Sequence, residues 1–398
     1  MGKGMNATLI PFFHFSFEYL LFRLPIMLSS SLFSAPAVKP FVFALSAALV
    51  AVASAVAAPQ LRAADAPAAA EAQAVEYQLP WQSLHMGTLI QGQVYAGTPE
   101  ETKRLAGIME SEIERFDDMM SVHKETVLND VNRRAGERVT VTPEIAEMTQ
   151  LALRVAEETD GAFEPTIGPV VNLWKIGFGG DTVPSDAAID EAVKRVDYRK
   201  VEVGETEGSW YVRIAPGQNI DMGGIAKGYI GQKLSERLKA EGASHALLDL
   251  GGNVVAVGEK SPGHPWRVGL QSPDQTRGAY FGILAVSDMS VITSGAYERN
   301  FEKDGKRYGH ILSAKTGRPV LTDIASVTIA DRNGGRADAL CTALFAMGWE
   351  KAKAFLSAHE DVHAVLLLND MKTVHVSREL RSAFTLTDET MRLEDDIP

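Results

Sequence analysis

Two oxygen-bearing side chains, Asp338 and Thr342, lie four residues apart in Gly334-Gly335-Arg336-Ala337-Asp338-Ala339-Leu340-Cys341-Thr342. On a helix that spacing puts them on one face, one turn apart. An acid and an alcohol so placed suit a hard cation such as Mg²⁺, which takes oxygen ligands and keeps positions open for water or phosphate. The glycine pair upstream frees the backbone near a helix N-terminus, where amide N–H groups and the dipole favour an anion. The plainer alternative is a first-turn Asp and a Thr bonded back to its own helix. The segment alone leaves both readings open.

A second stretch suits phosphate. Asn219-Ile220-Asp221-Met222-Gly223-Gly224-Ile225-Ala226-Lys227-Gly228-Tyr229 follows a short strand pattern, Trp210 to Ile214, and precedes a helical one carried by Ile230, Leu234 and Leu238. Glycines let backbone approach a ligand closely, and Lys227 would face a phosphate as a point charge. The P-loop spacing G-x-x-x-x-G-K-[ST] is absent. An ordinary turn with a solvated lysine is the rival reading. His310, just before the turn at Thr316-Gly317, has a side chain able to act as a base near neutral pH or to sit as a structural histidine. Gly251-Gly252 falls between two strand patterns and reads as a hairpin or a close backbone approach. Ser294-Gly295, in Val291–Tyr297, pairs hydroxyls with glycine at a strand end, a pattern suited to phosphate or adenine edges but, in isolation, more readily a β-turn. Asp160–Pro169 is a turn-rich segment long enough to be a binding loop.

Positioning these groups requires many elements. Strand patterns run over His85–Tyr95, Lys200–Val203, Trp210–Ile214, His245–Asp249, Val254–Val257, Trp266–Leu270, Gly282–Val286, Ala325–Ala330 and His363–Leu368. Helical patterns cover Glu100–Met120, Glu144–Thr159, Asp186–Val196, Ala226–Ala240 and Ala337–Ser357, with Pro99 and Pro143 at starts and Ser185 as an N-cap. There is no strict βαβ alternation and no fixed-period repeat, so the expectation is an α+β fold with largely antiparallel sheets.

The whole chain has 398 residues, 39 basic against 51 acidic, and a net charge of −12. No run of Lys or Arg appears, which argues against nucleic acid as a partner. An acidic protein must bind an anion locally, through a metal, helix N-termini and a few cations. The single cysteine, Cys341, excludes an intramolecular disulfide and a Cys-rich zinc site, and its apolar surroundings read as core.

The N-terminus reads as an export segment. Lys39 precedes an uncharged, Ala/Val-rich run from Phe41 to Ala58, with small-residue cleavage positions at Ala55-Val56-Ala57 or Ala63-Ala64. Left uncleaved, the run approaches the length that spans a bilayer and would anchor the protein to a membrane. No cysteine follows it, so a lipobox is excluded. Met27 is an alternative start, making 1–26 an upstream extension. The expected organisation is 1–62 extension and export signal, 63–79 Ala-rich linker, 80–376 folded domain, and 377–398 a loose acidic tail.

In their joint order, several motifs resemble the ApbE-like family of FAD:protein FMN transferases. They are Met86-Gly87-Thr88, Asp160–Pro169 with Trp174, Asp221–Gly228, Gly251-Gly252, Pro265-Trp266, Thr293-Ser294-Gly295, His310-Ile311 with Thr316-Gly317, and Asp338–Thr342. The resemblance implies a T-fold-like α+β architecture. It also implies Mg²⁺-dependent cleavage of FAD at the pyrophosphate, FMN passing to a Thr or Ser hydroxyl of an acceptor protein and AMP leaving. It places Asp338, Thr342 and the main-chain carbonyl of Gly224 on the metal, Lys227 by the phosphates and His310 as the base. Met86, Thr166, Asp221, Gly251, Gly252, Ser294 and Gly295 would shape the FAD site. The acceptors of this family belong to exported redox complexes, which agrees with a periplasmic location. Two departures stand out: Ser313-Ala314 where the family often has Asp-Pro, and His123 where it often has an aromatic. An FAD pyrophosphatase, with water replacing the acceptor hydroxyl, and a non-catalytic flavin-binding protein are the rival functions.

Overall fold

The computed structural model describes residues 76–397 apart from 122–123, 276–277, 296–298 and 395. The expected export segment, the alternative start and the departure at His123 lie outside the described residues. Among those described, no helix is long and apolar enough to cross a membrane.

The chain enters as a hairpin, β1 (Tyr77–His85) and β2 (Thr88–Ala96), and then forms α1 (Pro99–Met120), α2 (Val127–Arg133), β3 (Val139–Thr140) and α3 (Pro143–Glu158). Thr98, Thr126 and Thr142 each cap the following helix by accepting a backbone N–H, and Pro99 and Pro143 open theirs. Next come α4 (Gly168–Trp174), α5 (Asp186–Val193), β4 (Glu202–Thr206), β5 (Ser209–Arg213) and α6 (Ala226–Ala240). Five strands follow: β6 (His245–Leu250), β7 (Asn253–Val257), β8 (Trp266–Gln271), β9 (Tyr280–Val286) and β10 (Met289–Gly295). The ribbon β11 (Asn300–Lys303) and β12 (Lys306–Gly309) leads to β13 (Ile324–Asp331), α7 (Gly334–Met347) and α8 (Trp349–Ala358). The chain finishes with β14 (Ala364–Leu368), β15 (Thr373–Val376), β16 (Phe384–Leu386) and β17 (Arg392–Glu394).

Nine strands form one sheet in the order β1-β2-β6-β7-β10-β13-β14-β15-β17, antiparallel except for the last pair. Both faces are covered, as the alternation along β10 shows. Ile292 packs into the core beneath α1, α3, α6 and α7, whereas Val291 packs against the small sheet β16-β9-β8 on the other side. The α+β, largely antiparallel expectation holds.

Four boundaries differ from expectation. The pattern over His85–Tyr95 is not one strand: Met86 and Gly87 both have positive φ and turn the hairpin. The long pattern Ala337–Ser357 is two helices, broken at Gly348 with φ of 77°. Residues 377–398 are not a loose tail, because β16 and β17 join the two sheets. Met391 and Ile397 are buried, and Asp396 pairs with His375 at 2.6 Å and with Lys353 at 2.7 Å. At the other end β1 begins at Tyr77, inside the expected linker.

Candidate active site

The site forms where the N-terminal turns of α6 and α7 cross. Gly228 and Gly334 face each other there so closely that a Cβ on Gly228 would stand 2.1 Å from the Gly334 carbonyl oxygen. The glycines of α7 therefore serve helix packing. The helix starts three residues earlier than its pattern suggested, with Asn333 accepting the Arg336 N–H at 2.9 Å. Asp338 consequently sits a full turn inside α7, where it is buried.

From that position Asp338 Oδ2 accepts the Gly228 N–H at 2.9 Å. Helix α6 has no capping side chain of its own, so Asp338 serves as its N-cap from another element. Burial pushes the carboxyl above its usual range, against the opposing pull of Lys227, the Gly228 N–H and Asn253. Lys227 Nζ donates to the Gly251 carbonyl and to Asn253 Oδ1, both at 3.4 Å. Asn253 is itself buried, with its side-chain amide turned towards the Asp338 carboxyl.

Asp338 and Thr342 lie one turn apart on α7, and the loop residue Gly224 lies against Thr342. Thr342 Oγ1 donates to the Asp338 carbonyl at 3.3 Å, the back-bond anticipated as the plainer reading, and keeps its lone pairs. Gly224 lies against Thr342: its Cβ position is 3.2 Å from Thr342 Oγ1 and 3.2 Å from the Phe163 ring. Among the described residues no three His, Cys, Asp or Glu side chains gather at metal-ligand spacing. The donor set that the family resemblance implies would be one carboxylate, one hydroxyl and one peptide carbonyl. These fit Mg²⁺, which favours few protein oxygens and completes its shell with water and phosphate. A buried carboxylate opposed by little positive charge is a further reason to expect a cation.

Gly251 and Gly252 form the two-residue turn between β6 and β7, with φ of 68° and 95°, the left-handed geometry that primed hairpin turns require. Asp249 Oδ1 accepts the Gly252 N–H at 2.6 Å. A Cβ at Gly251 would stand 2.3 Å from Thr88 Oγ1, so this turn abuts the β1–β2 hairpin. Met86, at the tip of that hairpin, donates its N–H to Asp117 Oδ1 at 3.1 Å. Ser294 and Gly295 close β10, which α7 covers on one face: the Cys341 thiol donates to the Ile292 carbonyl at 3.1 Å. Cys341 is fully buried and its pKa is pushed well up, as a core residue requires.

His310 approaches from the loop after β12. Its Nδ1 lies 3.1 Å from the Arg299 carbonyl, which also accepts the His310 backbone N–H at 3.1 Å. A carbonyl only accepts, so Nδ1 carries the proton and Nε2 keeps its lone pair. Burial lowers the imidazole to about 4; the Arg299 carbonyl opposes this, while the charges of Arg299 and Lys227 add to it. A neutral ring with a free Nε2 is the form a general base needs. The loop is held by Ser313, whose hydroxyl accepts the Thr316 N–H at 3.2 Å and whose carbonyl accepts the Gly317 N–H at 2.7 Å. Ser313 thereby holds the turn, although it stands where the family often has Asp. The Gly317 carbonyl in turn accepts the Trp174 indole N–H at 2.7 Å, tying this loop to the 160–174 segment.

Asp221 accepts the Gly223 N–H at 2.7 Å, and burial raises its carboxyl against that bond and the charge of Arg299. Thr166 is a correction. It is wholly buried, its hydroxyl donates to Glu164 Oε1 at 2.8 Å and accepts the Asp197 N–H at 2.9 Å, so it braces the loop and offers nothing to a ligand. Asn253, Gly228 and Arg299 join the site unanticipated. Only the Gly228 position carried a local sign, inside the glycine-rich loop.

These features define an α+β protein in which two helix starts cross beside a metal-suited oxygen set and a neutral histidine. A model of the ApbE family matches residues 86–366, and the chain belongs to that family. An FAD:protein FMN transferase of Klebsiella pneumoniae (strain 342) is 35% identical over 285 residues, 71% of this chain and 88% of its own length. One of Treponema pallidum (strain Nichols) is 36% identical over 326 residues, 78% of this chain and 90% of its own. The crystal structure of the ApbE protein of Thermotoga maritima superposes with a TM-score of 0.70 at 30% identity, covering 78% of this chain and 99% of that one.

Proposed function

We propose that this protein transfers FMN from FAD to a Thr or Ser hydroxyl of an acceptor protein, with Mg²⁺ bound and AMP leaving. The observation that carries the reading is His310, neutral and with Nε2 unprotonated, within the electrostatic reach of Lys227, which in turn acts on the buried Asp338. Nε2 takes the proton of the acceptor hydroxyl, and the oxygen attacks the FMN phosphorus. The bond from that phosphorus to the bridging oxygen breaks, and AMP departs with the electron pair. Asp338, Thr342 and the Gly224 carbonyl would hold the metal, which when bound neutralises charge on the pyrophosphate. Lys227 adds a second positive charge, and the Gly251-Gly252 turn lets backbone approach the ligand. The relatives named above are FAD:protein FMN transferases, which supports the same activity here.

The apolar run at 41–58 supports export to the periplasm, with acceptors in exported redox complexes and membrane attachment wherever the run stays uncleaved. Incubation with FAD, Mg²⁺ and exported flavoprotein domains, read by in-gel flavin fluorescence, tests the activity. A fluorescent acceptor band that disappears when its hydroxyl residue is changed to alanine supports transfer. AMP release without a labelled protein would mean hydrolysis instead. Tight FAD binding without turnover would mean a flavin-binding protein.

A further inference from the structure

Arg299 is held at both ends. Its carbonyl receives two bonds from His310, each at 3.1 Å. Its side-chain stem crosses Gly177, where a Cβ would stand 2.8 Å from Arg299 Cδ. Its guanidinium carbon lies 5.6 Å from the centre of the half-exposed Phe178 ring. Yet the guanidinium forms no ion pair at contact distance among the described residues; the carboxylate whose charge it tempers, Asp221, lies on the loop before α6. Its charge thus acts both on the loop before α6 and on His310, where a substrate anion lying between them would meet it.

We propose that Arg299 is a phosphate-binding residue, its guanidinium gripping the nonbridging oxygens of the phosphoryl group under transfer while Lys227 faces it from α6. The proposal rests on the FMN-transfer reading. The phosphorus must lie within reach of the hydroxyl that His310 deprotonates, and Arg299 is bonded to His310. A planar guanidinium matches two phosphate oxygens at once, which an ammonium group does not. As the acceptor oxygen bonds to phosphorus and the bridging bond breaks, charge gathers on those oxygens and the fixed donors stabilise it. Arg299 itself gains and loses no proton.

The test compares wild type, Arg299→Ala and Arg299→Lys in single-turnover FMN transfer at saturating FAD and acceptor, with FAD affinity measured separately by flavin fluorescence. The alanine variant is expected to slow roughly 10²–10³-fold, as for removal of one transition-state donor, while FAD affinity changes by less than about tenfold. Added methylguanidinium should restore part of the rate, and urea should not. Arg299→Lys, which keeps the charge and the packing stem, should remain at least about tenfold slow. An alanine rate equal to wild type, a loss that methylguanidinium leaves untouched, or a lysine variant as fast as wild type each overturns the proposal. A wild-type protein that transfers no FMN instead sinks the functional reading, and the two failures are thereby told apart.

Discussion

Replacing Gly228 with alanine should separate the two helices that build the site. The new methyl would stand 2.1 Å from the Gly334 carbonyl oxygen and 2.7 Å from Asp338 Cβ. The first distance is more than an ångström short of ordinary contact, and its partner is backbone, which no rotamer change can move. Both positions are buried in the crossing of α6 and α7. Overpacking of this kind costs about 1–3 kcal/mol, and a clash with fixed backbone belongs at the upper end. Relief requires α6 to shift, which stretches the Gly228 N–H bond to Asp338 and carries Gly224 away from Thr342. The expected result in urea is a lower midpoint at unchanged m value, worth about 3 kcal/mol, together with weaker Mg²⁺ dependence of transfer. Gly107→Ala is the control. It lies exposed within α1 with nothing near its Cβ position, and should gain about 0.5–1 kcal/mol from helix propensity alone. A Gly228→Ala protein within 0.5 kcal/mol (about a third of one tenfold step in the folding constant) of wild type would refute the reasoning.

Asp338→Asn keeps an acceptor for the Gly228 N–H and removes a buried carboxylate whose folded pKa lies above its unfolded value, so its ionised form weakens the metal-free protein at neutral pH. The variant should melt at or above the wild-type temperature without Mg²⁺ and lose the Mg²⁺-induced rise; an undiminished rise would remove Asp338 from the metal site. For His310 the folded pKa is depressed from 6.5 to about 4, so the unfolded chain takes up the proton first and stability attributable to this residue falls as pH drops from 6.5 towards 4. The acid limb of kcat/KM for the free enzyme should accordingly lie near pH 4, and a limb near 6.5 would show an ordinary, solvated histidine. Cys341, fully buried, should resist thiol reagents until the protein unfolds, and rapid labelling of the native form would contradict its place in the core.

The site was legible where its chemistry is local. Asp338 and Thr342 share a helix face by spacing alone, and the glycine pair between β6 and β7 marked its own turn. What escaped notice depends on distant elements meeting. Gly228 and Asp338 are separated by 110 residues, and no local pattern announces that one caps the other's helix. Arg299 sits just before the β11–β12 ribbon, in a stretch with no glycine-rich or periodic pattern to mark it. Thr166 illustrates the opposite failure, a polar residue in a binding-like loop whose hydroxyl is consumed by Glu164 and Asp197. In the fold, long amphipathic helices were clear and short strands were not. The strands β16 and β17 have only three residues each, and isolated apolar residues such as Phe384 and Met391 anchor a stretch whose composition looks like solvent. The β1–β2 hairpin carries no Asn-Gly or Asp-Gly signal, since its turn is Met86-Gly87 inside an apolar stretch.

The proposed metal site would join α7 to the loop before α6. Crystals grown with FAD and Mn²⁺, the latter replacing Mg²⁺, would locate it by anomalous scattering. The expected result is a peak about 2.0–2.3 Å from an Asp338 carboxylate oxygen, the Thr342 hydroxyl and the Gly224 carbonyl. A peak bound elsewhere, or none at this crossing while FAD is ordered beside it, would contradict the account.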